Sequence, residues 1–180
     1  MDLKENTNQV FQQVTKAVQE TGREDGSVSV IAVTKYVDIA TAANLIDQGV
    51  KHIGENRVDK FLEKYHALSG KDVTWHLIGS LQRRKVKDII PFVDYFHALD
   101  SLKLAQEIQK RADRTVKCFL QVNISGEESK HGFSKEELLT VLQDLSSLDN
   151  IEYVGLMTMA PFEARTEELQ KIFKETQELQ

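Results

Sequence analysis

The run Val28-Ser29-Val30-Ile31-Ala32-Val33-Thr34-Lys35 most constrains what this chain can fold into. It is β-branched, too short for a helix, apolar enough to be covered on both faces, and it ends on a lone basic residue. A strand covered on both faces belongs to a parallel sheet. Just beyond it Asp38 offers a helix cap, and Ile39, Ala42, Ala43, Ile46 and Val50 recur at helical spacing, with Gly49 near the close. The run is therefore expected to feed a helix. In such a unit the C-terminal end of the strand faces the crevice where ligands bind, which sets an amine, Lys35, at that rim.

The same pattern repeats along the chain. An amphipathic helix is expected from about Leu3 to Thr21, with Val10, Phe11, Val14, Ala17 and Val18 on one face, packed against or plugging a barrel. Val50 to Gly54 reads as a second strand, with a helix from Glu55 to about Leu68. Val73 to Ile78 reads as a third, followed by a basic helix from about Arg83 to Ile90. Phe92 to Leu99 is a fourth, with Asp100 or Ser101 capping the helix that carries Leu102, Ala105, Ile108 and Ala112. Val116 to Val122 is a fifth. Ser134 and Glu137 form a capping box ahead of the stripe Leu138, Leu142, Leu145 and Leu148. Ile151 to Met157 is a sixth strand, and Leu169, Ile172, Phe173 and Leu179 mark a last helix.

Six strand–helix repeats with two prolines and no low-complexity tract describe one α/β domain spanning residues 1–180. An open doubly wound sheet should show a glycine-rich phosphate turn after its first strand, whereas here that turn is Thr34-Lys35-Tyr36-Val37. A closed (β/α)₈ TIM-type barrel fits better. It needs eight units, so about two βα units are expected to be missing at the C-terminus.

Composition excludes several classes. The chain is 41% hydrophobic and 28% charged, the balance of a soluble globular domain, and its net charge of −5 does not point to nucleic acid or an anionic membrane. The single cysteine, Cys118, sits in an apolar run and reads as a core residue, which leaves neither a disulfide framework nor a thiolate metal site. His52, His66, His97 and His131 lack metal-ligand spacing, so no metal is expected. The acidic, polar N-terminus and the lack of a membrane span point to the cytoplasm.

Four places carry possible chemistry. An amine held partly out of water at a barrel mouth can attack an aldehyde or ketone to give a Schiff base, although a strand-end lysine also snorkels to solvent. At the end of the second strand Gly54 allows close approach, and Asn56 offers a donor and an acceptor, or else caps the next helix. His76, in Trp75-His76-Leu77-Ile78-Gly79-Ser80-Leu81-Gln82, could orient a ligand or be a satisfied barrel histidine. Arg83-Arg84-Lys85-Val86-Lys87 could meet phosphate or a polyanion, or be a solvated helix face. The polar loop Asn123 to Phe133, with Gly126 and Gly132, is expected to be a mobile flap.

Ala32-Val33-Thr34-Lys35, Ile53-Gly54-Glu55-Asn56-Arg57-Val58, the Trp75 to Gln82 segment with Lys85, Gln121-Val122-Asn123-Ile124 with Lys130 and Gly132, and Gly155-Leu156-Met157 together resemble the YggS/PROSC-type pyridoxal phosphate homeostasis proteins. The resemblance runs in order from Val30 to Met159. It implies a fold-type III barrel, like the N-terminal domain of alanine racemase, holding pyridoxal 5′-phosphate as a Schiff base on Lys35. Asn56 then matches an asparagine near the cofactor's phenolic oxygen, and Met157 lies at a strand end lining the pocket, with His76 as a further contact. The family's later Ser-Met-Gly-Met-Ser-like and Arg-Ile-Gly-like segments, which cradle the phosphate and face the pyridine nitrogen, have no counterpart here.

The function so implied is a carrier or regulator of intracellular pyridoxal phosphate, without catalysis, whose partners are the cofactor and pyridoxal phosphate-dependent apo-enzymes. No nucleic acid or membrane is expected as a partner, and a complete barrel would be a monomer. The alternative is a racemase-like enzyme on the same cofactor, which needs acid/base groups on both faces of the substrate carbon. Tyr36 is a poor second base if consecutive strand-end residues point apart. A third class, a basic-patch binding module, rests on Arg83 to Lys87 alone.

Overall fold

The computed structural model describes residues 2–126 and 131–180, so Lys130 of the quoted motif lies outside the described residues. The chain divides into two units, residues 1–76 and 77–180. In the first, α1 (Leu3–Glu20) precedes β1 (Ala32–Val33), α2 (Ile39–Asp47), β2 (His52–Glu55), α3 (Val58–Ala67) and β3 (Thr74–Leu77), which ends on the boundary. The strands lie in sequence order; β1 and β2 are parallel, with Ala32 opposite Ile53 and Val33 opposite Gly54.

Helix α3 covers one face of this sheet because Phe61 and Tyr65, four residues apart, project from one side of it. Both rings lie within 5.3 Å of the Trp75 ring on β3. Ala42, Ile53 and Phe61 are fully buried. Asp38 caps α2 as expected, its carboxylate accepting from Thr41 N–H at 2.8 Å.

Two expectations fail in this unit. The first strand was expected over eight residues and to be covered on both faces, but only Ala32 and Val33 are in ladder, and Val28 and Val33 are 40% and 51% exposed. β-Branched composition reports fitness for a pleated surface, not how many neighbours a strand has. The second concerns α1, which buries Thr7 and Val18 while Val10 and Phe11 stay exposed. Its contact stripe is thus rotated from the apolar face read in the sequence.

The second unit runs α4 (Val86–Ile89), β4 (Tyr95–Leu99), α5 (Leu102–Arg111), β5 (Val116–Gln121), α6 (Lys135–Ser146), β6 (Ile151–Met157) and α7 (Thr166–Leu179). β4, β5 and β6 pair in that order and in parallel. Phe96, Val116, Cys118 and Ile108 are fully buried, and burial pushes the Cys118 thiol up to about 12. The basic helix expected from Arg83 to Ile90 is instead a 3₁₀ turn, one short α-helix and a second 3₁₀ turn holding Pro91. Proline lacks the N–H that a longer helix would need. In α6, Leu138 and Leu145 are buried, but Leu142 of the expected stripe is 44% exposed.

The described ends of the loop after β5 are stitched down. Phe133 N–H donates to Gln121 O at 2.8 Å, and Asn123 N–H donates to Phe133 O at 2.9 Å. Gly132 sits at φ +118° with Gln121 O only 2.8 Å from where a Cβ would stand, so this close approach excludes any larger residue.

Helix caps give a direct contrast. In α6, Ser134 Oγ accepts from Glu137 N–H at 3.1 Å while Glu137 Oε2 accepts from Ser134 N–H at 2.9 Å. At α5, Ser101 occupies the cap position but makes no cap hydrogen bond; its hydroxyl turns to Asp100 Oδ1 at 3.2 Å. Ser134→Ala is expected to cost about 1 kcal/mol in urea unfolding, and Ser101→Ala less than about 0.5 kcal/mol.

His97 gives a pH signature. It packs on Phe119 at 4.6 Å, and loss of hydration lowers its imidazole from the usual 6.5 to about 4. The unfolded chain therefore takes up this proton first as pH falls. His97 leaves stability unchanged above about 6.5 and lowers it progressively toward pH 4. Urea midpoints for wild type and His97→Gln are expected to show a shallower acid-side decline in the variant.

Candidate functional site

The end of β1 is fixed at both sides of Lys35. Thr34 N–H donates to Gly54 O at 3.0 Å, extending the β1–β2 ladder by one bond, and Val37 N–H turns back to Thr34 O at 3.1 Å. Lys35 and Tyr36 form the turn between this anchor and the capped start of α2. Lys35 is half-buried, with Nζ 4.9 Å from the centre of the Tyr36 ring. The expectation that these two side chains point apart is thereby corrected. Strand alternation does not apply, because the pair lies in a turn and not in a strand.

Lys35 opens on a cleft of about 640 Å³ whose wall includes Tyr36, Asp38, Lys60, Glu63 and Lys64. Three lysines meet here, and two are engaged. Lys60 Nζ lies 2.7 Å from Glu63, whose hydrogen bond holds the Lys60 ammonium above its usual range. Lys64 Nζ donates to Glu55 Oε1 at 2.5 Å and to Thr34 O at 2.6 Å. Among the described residues Lys35 Nζ makes no hydrogen bond or ion pair. Asp38 does not claim it: Thr41 hydrogen bonds hold that carboxyl below its usual range.

The Lys64 network is buried. Glu55 is 0% and Lys64 4% exposed, and Thr34 Oγ1 donates to the same Glu55 oxygen at 2.6 Å. The other carboxylate oxygen, Oε2, has no hydrogen-bond partner among the described residues. Three elements are thus tied at one point: the end of β1 through Thr34, the end of β2 through Glu55, and α3 through Lys64.

The other residues singled out from the sequence lie elsewhere. Asn56 is exposed in the bend after β2; the cap position of α3 belongs to Arg57, so Asn56 does not cap that helix. His76 is 3% exposed, with Nε2 2.9 Å from His52 Nδ1. Neither lines the Lys35 cleft. Met157, in the second unit, is the last residue of β6; it stands opposite Gln121, and its carbonyl accepts from Val122 N–H at 2.8 Å.

Sequence reasoning missed Glu55 and Lys64. A signal was present, since Lys64 follows Phe61 by three residues on the inward face of α3. A lysine there needs a buried carboxylate.

Comparison with known proteins now places the chain. Residues 6–180 match the family model for the alanine racemase N-terminal domain. The pyridoxal phosphate homeostasis protein of Aquifex aeolicus is 35% identical over 99% of this chain and 80% of its own length. The chain belongs to this family. A crystal structure of a protein of unknown role from Bifidobacterium adolescentis superposes with a TM-score of 0.90 at 33% identity, covering 98% of this chain and 76% of that one. PipY of Synechococcus elongatus, solved with PLP bound, gives 0.81 at 30% identity over 91% and 77%. The fold class is the family's TIM-type (β/α)₈ barrel, represented here by six βα units behind the extra helix α1. Among the described residues no helix is long and apolar enough to cross a membrane, and no group of three His, Cys, Asp or Glu side chains could hold a metal ion.

Removing one partner of a buried pair strands the other charge, whereas removing both does not. Lys64→Met is expected to destabilise the chain by about 3–5 kcal/mol in urea unfolding. The double variant Glu55→Gln/Lys64→Met is expected to recover most of that loss.

Proposed function

We propose that the chain binds pyridoxal 5′-phosphate and serves the homeostasis of that cofactor, with Lys35 as the residue that holds it. One observation carries the assignment to Lys35. Of the three lysines on its cleft, Lys60 is bound to Glu63 and Lys64 to Glu55 and Thr34 O, which leaves Lys35 as the uncommitted amine. When bound, the cofactor supplies an aldehyde carbon that a lysine nitrogen attacks reversibly, forming C=N and releasing the carbonyl oxygen as water.

The residues present fit that group. Lys35 is half-buried at a strand end, over an aromatic face, beside a cleft with room for a small ring. The pyridoxal phosphate found in PipY supports the choice of cofactor. Asn56 and His76 do not line this cleft and Met157 belongs to the second unit, so the assignment proposed from the geometry is confined to Lys35.

A carrier role without catalysis suits the chemistry of the cleft and the homeostasis names of the relatives. A two-base racemase needs an acid and a base on opposite faces of the substrate carbon. On this cleft the other two lysines are paired with carboxylates, and Tyr36 presents its ring face to Lys35 Nζ. Release to another amine, such as the lysine of a pyridoxal phosphate-dependent apo-enzyme, is the natural consequence of reversible attachment. The reading locates this activity in the cytoplasm, where a buried free thiol such as Cys118 is at home.

Borohydride trapping tests the assignment. Incubation with pyridoxal 5′-phosphate, reduction and peptide mapping are expected to find the label on Lys35, with Lys51, held by Asp72 at 2.7 Å, and Lys85 unlabelled. Lys35→Ala should abolish the label, and unchanged labelling in that variant would overturn the proposal. Alanine racemisation is expected to be no faster in wild type than in Lys35→Ala.

A further inference from the structure

We propose that Glu55 and Lys64 are positioning residues for Lys35, acting through the Thr34–Lys35 peptide; this rests on the reading that Lys35 holds the cofactor. The carbonyl of that peptide accepts from Lys64 Nζ at 2.6 Å and from Val37 N–H at 3.1 Å. Thr34 is also held through its own N–H to Gly54 O at 3.0 Å and through its hydroxyl to Glu55 Oε1 at 2.6 Å. All the polar groups of Thr34 are therefore in use, and the residue is 1% exposed.

The peptide plane so fixed contains the backbone nitrogen of Lys35. Its orientation sets where the Lys35 side chain leaves the main chain, since only φ and ψ remain to be adjusted there. The β ladder alone cannot do this, because β1 is two residues long and its paired partner among the described residues is β2. Glu55 acts one step further back. Its Oε1 receives both Lys64 Nζ and Thr34 Oγ1, so a single carboxylate oxygen sets the spacing between ammonium and threonine. Glu55 is wholly buried, and Lys64, though on the cleft wall, has its ammonium committed to Glu55 and Thr34 O, so neither is proposed to bind the cofactor. Their effect is on the direction and spread of the Lys35 amine.

Visible circular dichroism of the bound cofactor tests this, because an achiral chromophore acquires that signal only when it is held in one orientation. The full-length chain is used as wild type, as Glu55→Gln/Lys64→Met, and as Thr34→Val, which cuts only the hydroxyl link. Each is loaded with pyridoxal 5′-phosphate well below its melting temperature. Binding of pyridoxal, which has no phosphate, is measured beside it as a readout of the amine alone.

In all three proteins borohydride is expected to fix the label on Lys35. The double variant should lose most of the dichroism per bound cofactor and bind pyridoxal about tenfold more weakly, and Thr34→Val should fall between it and wild type. Wild-type dichroism and pyridoxal affinity in both variants would overturn the proposal. If the double variant does not fold, Thr34→Val decides in the same two directions. A label away from Lys35 in wild type would instead overturn the reading beneath, which keeps the two failures distinct.

Discussion

The Lys64–Glu55 ion pair under the Thr34 carbonyl is the contact on which the geometry of Lys35 depends. Both side chains are almost wholly out of water, and taking two charges into a protein interior is repaid only when the pair is close and its remaining hydrogen-bonding groups are used. Lys64 meets that condition with two acceptors. Glu55 meets it with one oxygen and leaves the other bare. Replacing such a pair with well-packed apolar residues is often neutral for stability. Stability alone therefore does not account for a buried charge pair at this point, whereas the anchoring of the residue before Lys35 gives it a role.

That pair, together with the Lys60–Glu63 pair, makes the three lysines of the cleft inequivalent. An ammonium that already has a carboxylate is a poor candidate for attacking an aldehyde, and Lys60 and Lys64 are both in that state. Lys35 Nζ lies over the ring of Tyr36 and makes no ion pair among the described residues. On the proposed reading, selection among chemically identical side chains is achieved by occupying two of them.

Much of the fold was legible in the sequence because its signals are local. The βα alternation, the Asp38 cap, the Ser134–Glu137 capping box and the span of β6 each follow from residues within one turn or one strand of each other. What failed depended on partners far away in sequence. The length of β1 is set by where β2 begins, the buried face of α1 by what packs on it, and the exposure of Leu142 by the neighbours of α6. Lys35 was singled out for a local reason, as a lysine closing a β-branched run, and its cofactor role was implied by the resemblance. Glu55 and Lys64 were not, because nine residues and a strand-to-helix turn separate the two halves of the pair. Their partner Thr34 lies 21 residues before Glu55.

Family membership and site geometry bear on different parts of the account. The 35% identity to a pyridoxal phosphate homeostasis protein fixes the family, while the proposal of Lys35 as the holding amine rests on which lysines are engaged. The most direct measurement of that central claim is a crystal structure of this chain grown with pyridoxal 5′-phosphate. The account predicts electron density continuous from Lys35 Nζ into the cofactor, with Lys64 still on Glu55 and Thr34 O. Density joining the cofactor to Lys64, or to any lysine other than Lys35, would contradict it.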